Sequence, residues 1–365
     1  MNRRAATTQG LLALAGLIAA YLTWQREPSL DSGQTYVLDI NKNDLQKIRY
    51  EELEPVPKAD PPADPKTPTP AAAPPKVLDW IELTRTQEDD GNAVWMRLAG
   101  KEGGNVPLPS GHPMVQQSVP ERLVRGNDGA EKMWELFSPW KAARALGKLD
   151  ATKLKDLSLN EPRKRLKITF KGVTKTFTLA PPPPGGTDPY VRDEEDGSVY
   201  IVARQILTDL QAARTNMTQR KLHAFIAPDM DKLVITANGK KKEFAFRRFD
   251  GRPGGELLAA ATPGKPDQTA SNWHERVFAL FPADVLGKDE KPAAGDPKVV
   301  VKIEYFYRNK RIGWLDLGRT GGEPAAAAAP RTEAFARSEF TAGWMTLSAD
   351  AQNLVSEGET LFGGP

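Results

Sequence analysis

The chain has 365 residues, 39% of them hydrophobic, enough to bury a sizeable core and to form two or three domains. Fifty basic residues against 47 acidic ones leave a net charge of +3, which argues against a nucleic-acid binder, since such proteins carry a net basic domain or face. With no cysteine, disulfides, thiolate nucleophiles and thiolate metal sites are excluded together.

Arg3 and Arg4 precede residues 5–25, which carry no charge. A helix of about 20 apolar residues spans the roughly 30 Å core of a bilayer. The expected division is a cytoplasmic N-terminus over 1–9 and a single transmembrane anchor over 10–25. The positive-inside rule then exports everything beyond Trp24. Tyr21 and Trp24 fall at the outer interface, and no small-x-small cleavage site closes the apolar run. Within the anchor Gly16 and Ala20 form a small-xxx-small pair, the candidate contact for a second helix. The expected location is a bacterial inner membrane, with the bulk of the chain periplasmic.

Beyond the anchor, strands are expected near Tyr36–Ile40 and Ile48–Tyr50, separated by a helical turn at Asn43–Lys47. Residues 54–76 hold nine prolines in 23 positions. Proline offers no backbone N–H, so this insertion cannot join a sheet and should run as a semi-rigid spacer. Strands near Trp80–Thr84 and Ala93–Leu98 lead to a helix over Gly129–Leu146, with Met133, Leu136, Phe137 and Trp140 at helical spacing. A hairpin follows around Gly172, then a strand at Val199–Ala203 and a helix at Gln205–Ala213.

The same order returns further along. Leu136-Phe137 with Pro139 reappears 144 residues later as Leu280-Phe281-Pro282, Tyr200-Ile201 as Trp344-Met345, and Leu210 as Leu354. Asp44–Ile48 resembles Asp229–Leu233 at a separation of 185, and Ala93–Arg97 resembles Glu243–Arg247 at 150. The proline insertion accounts for the longer separation. The fold expected is α+β: tandem duplicated units of antiparallel sheet, over 36–216 and 222–360, with helices packed on one face.

Leu154-Lys155-Asp156-Leu157-Ser158-Leu159, then a hairpin, Tyr190-Val191-Arg192 and Val199-Tyr200-Ile201-Val202, resemble the progression of domain-of-unknown-function family 4340. The match runs over most of residues 36–250, with a degenerate second pass over 271–355. The proline insertion and the alanine-rich loop 323–330 depart from the family pattern. Members are found beside ABC transporters of the gliding-motility auxiliary type. The resemblance therefore implies a permease, an ATPase and a gliding-type auxiliary protein as partners, and supplies no catalytic residue.

The residues themselves assemble no familiar catalytic set. His112, His223 and His274 lie far apart with no ligand spacing. Asp193-Glu194-Glu195-Asp196-Gly197 lacks the alternation of a calcium loop and reads as a charged, solvated turn. Ser110-Gly111-His112 lacks the leading glycine of a nucleophile elbow, and no phosphate-binding glycine loop is present. Lys240-Lys241-Lys242 follow Asn238-Gly239, a hairpin-tip signal. Trp95, Trp134, Trp140, Trp273, Trp314 and Trp344 are expected mostly in cores, an exposed subset being a candidate partner or glycan surface.

The function expected is a non-catalytic, membrane-anchored accessory subunit of an ABC transport system, with no metal, cofactor or nucleic acid. The alternatives are a periplasmic hydrolase built from scattered carboxylates such as Asp193 and Glu195, and a structural part of a motility or surface-appendage machine.

Overall fold

The computed structural model describes residues 35–55, 75–88, 91–101, 118–161, 163–182, 185–250, 254–260, 262, 264–293, 295–320 and 333–363. The anchor, with Arg3, Arg4, Gly16 and Ala20, lies outside them, as do most of the proline insertion, Ser110-Gly111-His112 and the loop 323–330. Among the described residues no helix is long and apolar enough to cross a membrane.

The first sheet uses β2 (Leu45–Leu53), β3 (Val77–Glu88), β4 (Gly91–Lys101), β5 (Ser118–Arg125), β7 (Arg144–Lys148), β8 (Lys164–Phe170), β9 (Val173–Ala180), β10 (Tyr190–Asp193) and β11 (Ser198–Ile201). Its order is β5-β4-β3-β2-β8-β9-β10-β11-β7. A small separate ribbon pairs β1 (Tyr36–Leu38) with β6 (Trp140–Lys141).

The second sheet takes β12 (Lys232–Ala237), β13 (Lys240–Arg248), β14 (Gly255–Ala259), β15 (Asp284–Val285), β16 (Lys298–Tyr307), β17 (Lys310–Arg319), β18 (Ala334–Ser338) and β19 (Met345–Thr346). Its order, β14-β13-β12-β16-β17-β18-β19-β15, repeats that of the first position by position once β5 is set aside. The pairings in both sheets are antiparallel, and the protein is a mostly β member of the α+β class.

Helices fall at matching places. α1 (Asp128–Leu136) precedes β7 as α5 (Gln268–Phe278) precedes β15, and α3 (Arg204–Gln211) follows β11 as α6 (Ala349–Gly363) follows β19. Among the described residues the remaining short α-helices are α2 (Ala151–Asp156) and α4 (Ala213–Asn216), with one 3-10 turn at Ala227–Asp229. Both α1 and α5 start on a side-chain cap: the Asn127 oxygen accepts from the N–H of Gly129 at 2.8 Å, and Asp267 accepts from that of Ala270 at 3.0 Å. Each cap satisfies an N–H that the helix leaves without an internal partner.

The ladders place the separation of 185. Ile48 lies opposite Ile168 and Leu233 opposite Tyr305. Three residues beyond each partner comes a tight turn with two positive φ angles, Lys171-Gly172 at 48° and 78° and Arg308-Asn309 at 49° and 64°. Ile48 and Leu233 therefore occupy the same position in their sheets, and Leu210 and Leu354 both bury on the helix after the matching strand.

Several expectations are corrected. Residues Ala93–Arg97 lie in β4 whereas Glu243–Arg247 lie in β13, and the counterpart of β13 in sheet order is β3. A local pattern of alternating apolar residues does not specify which neighbour a strand takes. The helix expected over Gly129–Leu146 ends at Leu136, and the chain turns into β6 and β7. Pro139 has no N–H to extend the helix, and Trp140 instead packs edge-on to Phe177, ring centres 5.2 Å apart. Phe137 is fully buried while Phe281, its sequence match, is 67% exposed. The helical turn expected at Asn43–Lys47 is a non-helical turn closed by the Asp44 N–H on the Asn41 carbonyl, and β2 begins at Leu45.

Nor do the helices share one face. The main core, with Trp134, Phe137, Trp140 and Phe177 at its centre, holds Val191. The adjacent Tyr190 points to the opposite face, where Leu154, Leu157 and Leu159 around α2 cover it. Neighbouring strand residues face opposite ways, so α2 closes the reverse side of β10 and β11.

The two sheets meet at β5. The Lys288 N–H donates to the Leu123 carbonyl at 2.8 Å, and a Cβ on Gly287 would lie 3.2 Å from the Leu123 nitrogen. The segment after β15 thus covers what would otherwise be an open sheet edge.

Candidate functional site

The second unit buries a group of polar rings that lie far apart in sequence. His223 comes from the connector between the units, His274 from α5, Tyr305 from β16 and Glu339 from the turn after β18. His223 stacks on Phe278 at 5.0 Å with an interplanar angle of 17°, and meets Tyr305 edge-on at 4.8 Å. His274 lies 5.8 Å from both Phe278 and Tyr305, and Phe246 closes its far side at 6.3 Å. His274 sits here because Ala270, Trp273 and Val277, its neighbours along α5, face the same core.

Glu339 orients His223. One carboxylate oxygen accepts from His223 Nδ1 at 3.1 Å, and the other accepts the Trp314 N–H at 2.7 Å. With its proton on Nδ1, the imidazole keeps Nε2 as an acceptor. His223 Nε2, His274 Nε2 and the Tyr305 hydroxyl are buried with no hydrogen-bond partner among the described residues. Burial, with the electrostatic influence of His223 second, lowers the His274 pKa to about 3. Burial also raises that of Tyr305, and Glu339 adds to the rise. Both rings are neutral in the folded protein near neutral pH, sealed beneath aromatic carbon.

A second polar array covers the outward face of the first sheet. Glu51, 2% exposed, sits 2.7 Å from Arg49 and 3.2 Å from Lys167, and Glu82 lies within 3.3 Å of both Lys47 and Arg49. The ladder sets these pairs, since Arg49 lies opposite both Glu82 and Lys167. Burial alone raises the pKa of Glu51, but hydrogen bonds from Arg49 and Lys167 outweigh it and the net direction is down. The Arg49 guanidinium also stacks over Trp80 at 4.0 Å.

The acidic run at Asp193–Asp196 is a turn between β10 and β11, closed by Gly197 at φ 77°. Asp193 is not solvated as expected. It is 2% exposed, accepts from Lys175 Nζ at 2.8 Å and from the Glu195 N–H at 2.9 Å, and so is committed to holding the turn. Glu195 is exposed. Asn238-Gly239 makes the expected hairpin tip, with positive φ at both residues and Lys240 and Lys241 exposed beside it. Trp134 and Trp140 are fully buried, whereas Trp95 and Trp314 are half-buried on outward sheet faces.

Among the described residues no group of three or more histidine and carboxylate side chains is placed to hold a metal ion. A groove of about 700 Å³ runs between α5 and α6, lined by Asn272, Arg276, Ser356, Glu357 and Thr360. The joining of His223 and His274 had no local signal, because 51 residues and a complete β-hairpin separate them. No family model, no curated protein and no solved structure matches the chain.

Proposed function

We propose that this chain is a membrane-anchored, extracytoplasmic accessory subunit of an ABC transport system, acting as a non-catalytic binding or scaffolding module. In this reading the two units descend from one duplicated α+β ancestor, and residues 10–25 form the transmembrane anchor. The observation that carries the scaffold role is the junction at β5, where the edge strand of one sheet is joined to the segment that follows β15 of the other by a backbone hydrogen bond and the two ion pairs of Arg122. Such a junction presents two similar surfaces at a fixed spacing. Supporting it, Asp193 is bound into its turn and His274 and Tyr305 are sealed under aromatic rings. The assignment to a transport system rests on Arg3, Arg4, the uncharged run 5–25 and the resemblance to family 4340.

The test is co-purification of the full chain from detergent-solubilised membranes. A permease, a separate ATPase and a gliding-type auxiliary protein are the expected partners. A reporter active only outside the cytoplasm, fused after Pro365, should be active and stay membrane-bound in high salt. A cytoplasmic reporter signal, or an ATPase activity intrinsic to the chain, would overturn the reading.

A further inference from the structure

The connector between the units is a strap with unusual fastenings. It leaves the first unit where the Gln219 N–H donates to the Arg125 carbonyl at 2.8 Å, and it enters the second sheet at Lys232. Residues 220–225 belong to neither sheet. Side chains fasten them instead. The Ser338 hydroxyl donates to the Leu222 carbonyl, Glu339 holds the His223 ring, and Phe225 lies 5.2 Å from Tyr305 and 5.9 Å from Phe278. Immediately beyond, Ile226 is 64% exposed. The strap is therefore held by the box of rings it covers, and His274 lies inside that box.

Among the described residues the groups facing His274 are few. From the strap comes His223, whose electrostatic influence reaches His274, with Glu339 behind it, and from β16 comes Tyr305. From β13 the neighbour is the uncharged ring of Phe246, and from α5 itself Phe278. The Arg276–Glu357 pair joins α5 to α6 at an exposed position. Glu339 is already bonded to His223 and Trp314, so a proton arriving on His274 in the closed box finds no free carboxylate among the described residues to balance it.

We infer that the strap is an acid-sensitive latch: His274 takes up a proton only when His223 and Phe225 leave the aromatic box, so acid shifts the strap from closed to open. In the closed form burial, with the electrostatic influence of His223 second, holds the His274 pKa at about 3. Once exposed to water the ring returns to the ordinary histidine value of about 6.5. Each pH unit between those two values then favours the open strap tenfold. From pH 7.5 to pH 5 the ratio of open to closed rises about 30-fold. Because the strap is the covalent link between the units, its release loosens the register in which they are held.

The experiment is amide hydrogen exchange on the full chain in detergent, read from peptides covering residues 219–230 and corrected for the intrinsic pH dependence of exchange. Strap protection should fall about 30-fold between pH 7.5 and pH 5, while β16 and β17 keep theirs. His274→Phe fills the same space without a titrating group and should hold the strap closed at both pH values. Constant strap protection in the wild type, or an unchanged fall in His274→Phe, overturns the latch. Should that variant fail to fold, imidazole NMR of the wild type decides: His274 protonation and loss of strap protection must share one midpoint. A His274 that titrates like a solvated histidine while the strap stays protected also overturns it.

Discussion

Arg122, on the edge strand of the first sheet, lies 2.7 Å from Glu290 in the second unit, with both side chains about four-fifths buried. The same guanidinium reaches Asp284 at 3.2 Å, so one residue ties β5 to both ends of the segment that covers it. Removing one partner of an ion pair withdrawn from water leaves the other charge uncompensated, which costs more than losing an exposed pair. Arg122→Ala should lower stability by about 1–2 kcal/mol in urea titrations. A double-mutant cycle with Glu290→Ala should show a coupling of about 1 kcal/mol. Zero coupling would mean that the Arg122–Glu290 pair does not hold the junction.

Glu51 anchors the charge lattice on the first sheet. Its removal leaves Arg49, Lys167 and Arg165 crowded around a site that was 2% exposed. Glu51→Gln should destabilise by about 3 kcal/mol, the scale for breaking a buried pair from one side. Its folded pKa is lowered, so the stabilisation is complete above the ordinary carboxylate range and is lost as pH falls below it. A variant whose urea midpoint matches the wild type at pH 7 would show that the lattice contributes nothing.

Asp193 and Glu195 should behave differently although they are two residues apart. Asp193→Ala removes the partner of Lys175 and of the Glu195 N–H, and should cost about 2–3 kcal/mol. Glu195→Ala should stay within about 0.5 kcal/mol, because its carboxylate is exposed and its contact with Lys175 is 3.6 Å. Thermal melts of the two variants side by side check the contrast, and equal losses would refute it.

Global stability should fall in acid with a component traceable to His274. The unfolded ring takes a proton near pH 6.5, whereas the folded one resists until about pH 3. Above the upper value both states are neutral and there is no pH dependence from this group. Between the two, the unfolded state holds the extra proton and stability declines by about 1.4 kcal/mol per pH unit. His274→Phe should flatten the urea midpoint profile from pH 6.5 to 4. A profile as steep as that of the wild type would assign the loss to carboxylates instead.

Features set by neighbouring residues could be read directly. Asn238-Gly239 specifies its own tight turn because both residues tolerate positive φ, and the apolar spacing of Ile206, Leu207 and Leu210 specifies the buried side of α3. The separation of 185 was legible because Ile48 and Leu233 repeat the same local pattern. In contrast, β5 and β14 carry no such local signal. The first contains Pro120 and two arginines, the second is five residues long with Gly255 at its start, and neither shows clean alternation.

By itself, then, the amino-acid sequence determined the alternation of short strands and helices, the turns between them, the uncharged run after Arg4 and the absence of thiol chemistry, all consequences of adjacent side chains and composition. Tertiary structure alone decided which strands pair, that α2 closes the reverse face, that Arg122 meets Glu290, and that His223 and His274 share one box. Those outcomes depend on which surfaces exclude water together across separations of 50 residues or more, as with the 51 between the two histidines. No periodicity in a single stretch of chain carries that information, because burial is a property of the partners as much as of the segment.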